Sequence, residues 1–406
     1  MIKTLFLINN NGDVIIEKHW RGLTPRSVAQ YFWNEISNYE NKKDAKPIIQ
    51  TQKETLIFIE RVDMYYLAVI PIEGSPLMVV EFLDRLSQIF AKFFGKMPTE
   101  DVIKENFVII YELLDEMMDN GFPLTTEPSV LEEMINISKQ RSVKSSDLIP
   151  TGSLSNTPWR KPGIKHSPNE ILIDFIERID TIIEVNGTPV TTEIDAKALV
   201  DCRLSGMPEL TMSFNQPRLV EDISFHPCVR YNHWEQYQKV NFVPPDGEFQ
   251  LLTYSIKSPN IQVPIYSDPI FKWEKNKGVL DLKIGIKNNQ EKPVENVSII
   301  IPFPKNIEKP KLVCSDGSVL FDESSKKIKW KIGKLKERAS HLSGTIPLTP
   351  DTAPPEERPT ALAEFRVVSL SASGLKVDRI DLHNENYKVF KGVRFITEAG
   401  NFQIRF

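Results

Sequence analysis

Cysteine is scarce, with three residues in 406, and Cys202, Cys228 and Cys314 lie far apart. An odd count without paired spacing excludes a disulfide-stapled scaffold and offers no zinc or dithiol redox motif. Each reads as a small buried hydrophobe, and a reducing cytosol is the expected compartment. Long apolar runs are also missing. The opening MIKTLFLINNNGD holds a short apolar stretch that ends at an Asn-rich turn, which is no signal peptide. No later window approaches the roughly 18 to 20 apolar residues of a membrane span, so any membrane is expected to be met peripherally. A strong excess of positive charge is absent as well. The net charge is −4, and no aromatic-basic motif for base stacking appears, which argues against nucleic-acid binding.

What is present is the composition of a globular chain, 41% apolar and 26% charged, long enough for two or three cores. The charge is uneven. Residues 1–140 carry 14 Lys and Arg against 21 Asp and Glu, a balance of −7, which leaves +3 for the remainder.

Residues 1–140 alternate strand and helix patterns. Lys3–Ile8 and Val14–Trp20 flank Asn11-Gly12, a strong hairpin signal. Thr24-Pro25 predicts a helix start, and Thr55–Glu60 and Met64–Ile72 predict two more strands. Ser75-Pro76 opens a second helix with Val79, Phe82, Leu83, Leu86, Phe90 and Phe93 at helical spacing, closed by Gly95. A third is predicted from Thr99 to about Asn120. This is an α+β domain, and its aromatic stripe reads as core, so no cofactor is expected.

Residues 141–168 lose periodicity and gather Ser, Pro, Gly, Lys and Arg, the signature of a linker. Within it Trp159, flanked by basic residues, is expected to pack on the following domain or to serve as a docking contact. Residues 169–406 read almost entirely as short strands, with turns at Asn186-Gly187, Asp246-Gly247 and Asp316-Gly317. An all-β sandwich of two subdomains is predicted.

Several ordered segments carry a resemblance. They are Trp159-Arg160, Gly163-Ile164-Lys165, Asn169-Glu170, Leu204–Glu209, Phe225–Arg230, Phe242–Phe249 and Ser373–Val377. Together they resemble the mu homology domain of the medium (mu) subunits of heterotetrameric vesicle-coat adaptor complexes. The first 140 residues are similar to the longin-like domain such chains carry first. Within the family the chain looks most similar to the medium chain of adaptor complex 3, on Asn156–Arg160, the direct run from Phe214-Asn215 to Phe225-His226, and Lys391–Phe395.

The resemblance implies an elongated antiparallel β-sandwich and an assembly with two large chains and one small chain. It implies recruitment by an Arf-family GTPase to Golgi and endosomal membranes and coated vesicles, and selection of transmembrane cargo bound for lysosomes or related organelles. Cargo would be read through the signal Tyr-x-x-Φ, Φ being bulky and apolar, by strand addition. Motif alignment puts the tyrosine pocket on Leu172, Asp174 and Arg394, with Asp201, Arg203 and Gly392 around it. The Φ pocket would be lined by Ile173, Val377, Ile380 and Val393. Asp201 and Gly392 stand where the endocytic relative has Lys and Trp, which predicts a roomier, more acidic pocket and either a lower affinity or a preference for basic flanking residues in cargo. They also leave open a scaffold or coat-regulatory subunit that reads no tyrosine signal.

Lys326, Lys327, Lys329, Lys331, Lys334 and Lys336 form the densest basic run. Alternation puts Lys327, Lys329 and Lys331 on one face, either to meet phosphoinositide headgroups or to guard an edge strand from aggregation. An enzyme is not expected. His226, Cys228 and Asp222 are close in sequence, but no oxyanion-type glycine loop accompanies them.

Overall fold

In a computed structural model, the structure describes residues 1–39, 45–140, 157–258, 261–287, 292–335, 338–350, 354–355 and 358–406. The chain forms two compact units, Met1–Lys161 and Pro162–Phe406, which divide inside the stretch read as linker. Trp159 falls in the first unit and is half-buried.

The first unit is built on β1 (Thr4–Asn9), β2 (Val14–His19), β3 (Ile48–Gln50), β4 (Glu54–Arg61) and β5 (Met64–Pro71), in the order β2-β1-β5-β4-β3. Strands β1 and β5 at its centre are buried at nearly every position because both faces are covered. Leu5 and Leu7 of β1 join one core with Tyr66, Ala68 and Ile70 of β5, while Phe6 and Ile8 join a second with Tyr65, Leu67 and Val69. The second core is closed by α1 (Ser27–Ser37) through Ala29, Phe32 and Ile36. The first is closed by α2 (Pro76–Phe94), α3 (Glu100–Glu105), α4 (Phe107–Met117) and α5 (Pro128–Gln140).

Two predicted helix ends move. Thr24 does not cap α1; its hydroxyl is buried against that of Thr4 at 2.7 Å, so the helix begins at Ser27. The third predicted helix breaks at Asn106, whose side-chain amide donates to the Val102 carbonyl at 2.9 Å and competes with the helical ladder. Its end turns instead into a short hairpin, β6 (Met118–Asp119) and β7 (Phe122–Pro123).

The second unit contains β8 (Glu170–Ile183), β9 (Pro189–Arg203), β10 (Glu209–Phe214), β11 (Glu221–Phe225), α6 (Tyr231–Tyr237), β12 (Lys239–Phe242), β13 (Gly247–Lys257), β14 (Ile265–Trp273) and β15 (Lys277–Ile286). It continues with β16 (Val294–Pro302), β17 (Lys311–Cys314), β18 (Ser318–Asp322), β19 (Lys327–Gly333), β20 (Ser340–Pro347), β21 (Thr360–Val368), β22 (Val377–His383) and β23 (Phe390–Arg405). A nine-stranded sheet, β11-β13-β9-β8-β23-β21-β16-β19-β18, runs through the unit. A three-stranded sheet, β12-β10-β22, packs on it through Phe214 against Phe175, and a four-stranded one, β14-β15-β20-β17, through Phe271 against Phe406. Within the expected antiparallel sandwich one pair runs the other way: β23, the last strand, pairs parallel to β8, the first of the unit. Such a pairing needs a long crossover, and here almost the whole unit lies between the two.

Candidate functional site

The parallel pair sets up the site, because it is longer on one side than on the other. β23 pairs with β8 from Phe390 onward, whereas β21 covers its opposite edge only from Ile396. The Phe395 carbonyl is taken by the Ser369 amide at 2.8 Å, and the Phe390 amide donates toward β8, to Asn169, at 3.1 Å. Backbone groups alternate in direction along a strand, so the amides and carbonyls of Lys391 and Val393 face outward. Among the described residues, no strand covers the edge from Phe390 to Arg394.

Period-two alternation sorts β8 into a core face, Ile171, Ile173 and Phe175, and an outer face, Leu172, Asp174 and Ile176. Register carries the outer face across four strands. Gly392 lies beside Leu172, Leu172 beside Asp201 and Asp201 beside Glu248; the next file is Arg394, Asp174, Leu199 and Gln250. These two files line an open groove of about 700 Å³, with Phe390 at its rim.

Arg394 holds Asp174 with two bonds, its Nε donating to Oδ1 at 2.9 Å and its terminal nitrogen to Oδ2. The carboxylate also holds the Arg394 guanidinium above its ordinary pKa. Planar two-point pairing of this kind fixes both groups, and a carboxylate retains lone pairs for a further donor. Arg203 does share a face with Asp201. It donates to Asp201 Oδ2 at 3.0 Å and lies 3.5 Å from Glu170 Oε1. Three carboxylates, Asp174, Asp201 and Glu248, thus line the groove with one guanidinium, that of Arg394, and the Glu170–Arg203 pair stands beside it. The excess is negative in a unit whose overall charge is balanced, with 32 Lys and Arg against 32 Asp and Glu.

The expected Φ pocket is altered in one member. Ile173 has no accessible surface, because alternation turns it into the core behind Val393, its register partner. Val393 is 39% exposed on the face opposite Arg394, Ile380 is nearly buried and Val377 is half-buried. The Lys391 ammonium reaches the Ile380 carbonyl at 2.6 Å, which places β22 within a side chain's length of the uncovered edge.

The groove also contains Glu248, Gln250, Leu199 and Phe390, which no sequence argument singled out. Alternation in β13 would have given Glu248 and Gln250 a common face, but only the register tells which face.

The start of the Ser373–Val377 segment is structural. The Glu177 carboxylate, fully buried, accepts from the Ser373 amide at 3.2 Å, the Ser373 hydroxyl at 2.5 Å and the Ser371 hydroxyl at 3.2 Å. Burial pushes the Glu177 carboxyl above its usual range while these bonds pull it back.

On β19, Lys327, Lys329 and Lys331 do share the outer face, above buried Ile328, Trp330 and Ile332. β19 is not the edge strand, however: β18 lies outside it, so aggregation guarding is not the reason for the row. Lys329 sits 3.6 Å from Glu364, and Lys327 is the register partner of Asp322, whose carboxyl is held at about 2 by the Ser324 and Ser325 hydroxyls. Lys331 has no acidic partner among the described residues. Lys336 lies outside the described residues.

His226, Cys228 and Asp222 form no catalytic array. His226 Nδ1 accepts from the Cys228 backbone amide at 3.1 Å, its ring packs edge-on against Phe249, and Asp222 receives the Ser255 hydroxyl at 3.5 Å.

Comparison with known proteins bears on the whole chain. Residues 157–406 match the model of the adaptor complexes medium subunit family, and residues 1–142 that of the clathrin adaptor complex small chain. The chain is 44% identical over 422 residues to the AP-3 complex subunit mu of Dictyostelium discoideum, and 40% identical over 418 residues to the AP-3 complex subunit mu-1 of Homo sapiens. Both comparisons cover all of each chain. The fold is similar to that of a chain in a homology model of the full-length AP-3 complex in an intermediate open conformation, with TM-score 0.65, 19% identity and full coverage of both.

Proposed function

Because the chain belongs to the adaptor complexes medium subunit family, and so is a vesicle-coat adaptor subunit and not an enzyme, we propose that its second unit reads Tyr-x-x-Φ signals in the cytosolic tails of transmembrane cargo. The assembly would contain two large chains and one small chain, join Golgi and endosomal membranes through an Arf-family GTPase, and send cargo toward lysosomes or related organelles.

One observation supports this reading above the others: the Asp174–Arg394 pair lines a groove directly beside an uncovered strand edge. That edge, Phe390 to Arg394, is about as long as a four-residue signal. A peptide added there presents alternate side chains to opposite faces. Tyr and Φ, three positions apart, therefore fall on different faces: Tyr toward Asp174 and Arg394, Φ toward Val393, Ile380 and Val377. Ile173 supports the Φ wall from behind. Lys327, Lys329 and Lys331 supply a separate contact for anionic lipid.

The pair refines the energetics. A phenol hydroxyl donates to a carboxylate that Arg394 already satisfies, so its loss leaves Asp174 bonded, and the cost falls near the low end of about 1–3 kcal/mol. A phosphate on the tyrosine meets the negative excess of the groove. Calorimetry with the intact chain should show Tyr→Phe weakening a signal peptide by about 1 kcal/mol, with Tyr→Ala and phosphotyrosine abolishing the heat. Equal binding of the Tyr→Ala peptide would leave the scaffold reading in its place.

A further inference from the structure

The geometry points to Phe390 as the aromatic wall of the tyrosine slot, a specificity-determining residue that acts across Gly392. This rests on the tyrosine-signal reading and adds a member to that site. Gly392 is where the resemblance predicts a lost wall, and the structure shows what stands in its place. Phe390, Gly392 and Arg394 share one face of β23, and Phe390 is 63% exposed at the groove rim. Its ring leans toward Gly392: a β-carbon on Gly392 would lie 3.4 Å from Phe390 Cε1 and 2.6 Å from Leu172 Cδ2. No aromatic partner occupies the ring among the described residues.

The spacing suits one ring. Gly392 and Arg394 are two residues apart, about 6.6 Å along a strand, and an aromatic ring in contact on both faces takes about 7 Å. Phe390 therefore closes one side of a slot whose other side is the Arg394 guanidinium and whose floor is Leu172. A tyrosine ring there gains a cation–π contact on one face and an aromatic contact on the other, while its hydroxyl points toward Asp174. An aliphatic side chain gains neither, so the slot selects for an aromatic ring as Asp174 selects for a hydroxyl.

The test uses the intact chain and a fluorescent Tyr-x-x-Leu peptide read by polarisation. Phe390→Ala should weaken binding about three- to ten-fold, and Phe390→Tyr should restore it. Because the ring is exposed, the thermal midpoint should stay where it was in both variants. Native-like affinity in Phe390→Ala, with the Tyr→Ala peptide still failing to bind, overturns the wall and leaves the signal reading standing. If the native chain binds the Tyr→Ala peptide equally well, the signal reading falls and the wall with it.

Discussion

At Glu177 a carboxylate is closed off from water, and three donors from the segment after β21 converge on it. Removing it in Glu177→Ala leaves the half-buried Ser373 amide without an acceptor, which should cost about 1–3 kcal/mol in denaturant unfolding. The pH dependence has a definite sign. Burial raises the folded carboxyl above its unfolded value, so the group's contribution is full below the ordinary carboxyl range, near pH 4.3, and is lost as pH rises through the folded value. Relative to Glu177→Gln, the native chain should lose stability as the pH climbs from that range toward neutrality; a pH-independent difference would refute it. Other residues were legible to very different degrees. Asp174 and Arg394 are 220 positions apart, and only the resemblance joined them, since periodicity carries no information at that distance. Phe390 and Glu248 escaped notice because an exposed aromatic and an exposed acid are unremarkable until the register puts them beside a groove.

The elements were more legible than the residues. Hairpin turns, apolar spacing and Gly95, left-handed at φ 76°, mark much of the first unit, because those signals are local. The break at Asn106 and the parallel pairing of β23 with β8 were not legible; one depends on a side-chain bond and the other on which strands meet after folding. That pairing yields a prediction of its own. Only alternate backbone groups of β23 face outward, so a bound peptide should donate and accept through alternate residues as well. N-methylating the peptide's amides one at a time should split them into two sets, one losing about ten-fold or more in competition polarisation and the other nearly unaffected. A uniform response would mean that side chains alone hold the peptide, and strand addition would have to be abandoned.

For the whole molecule, charge decides how a chain with no described helix able to cross a membrane comes to act on one. The first unit, residues 1–161, carries 18 Lys and Arg against 22 Asp and Glu, whereas the second, residues 162–406, is balanced at 32 against 32, so the less repelled approach to an anionic surface is through the second unit. Its lysine row offers that approach unequally. Asp322, ionised far below neutrality, partly cancels Lys327, and Glu364 partly cancels Lys329, whereas Lys331 keeps its whole charge for an outside partner. A surface lysine is worth about 1 kcal/mol near an anionic leaflet, and the attraction fades beyond a Debye length. In sedimentation with phosphoinositide-containing vesicles, Lys331→Ala should therefore lower binding by about five- to ten-fold, more than Lys329→Ala or Lys327→Ala, and added salt should erase the ranking. Neutral vesicles should bind no variant differently. Equal losses for all three lysines would show that Asp322 and Glu364 give way when the surface arrives, and no loss for any would remove β19 from the membrane contact altogether.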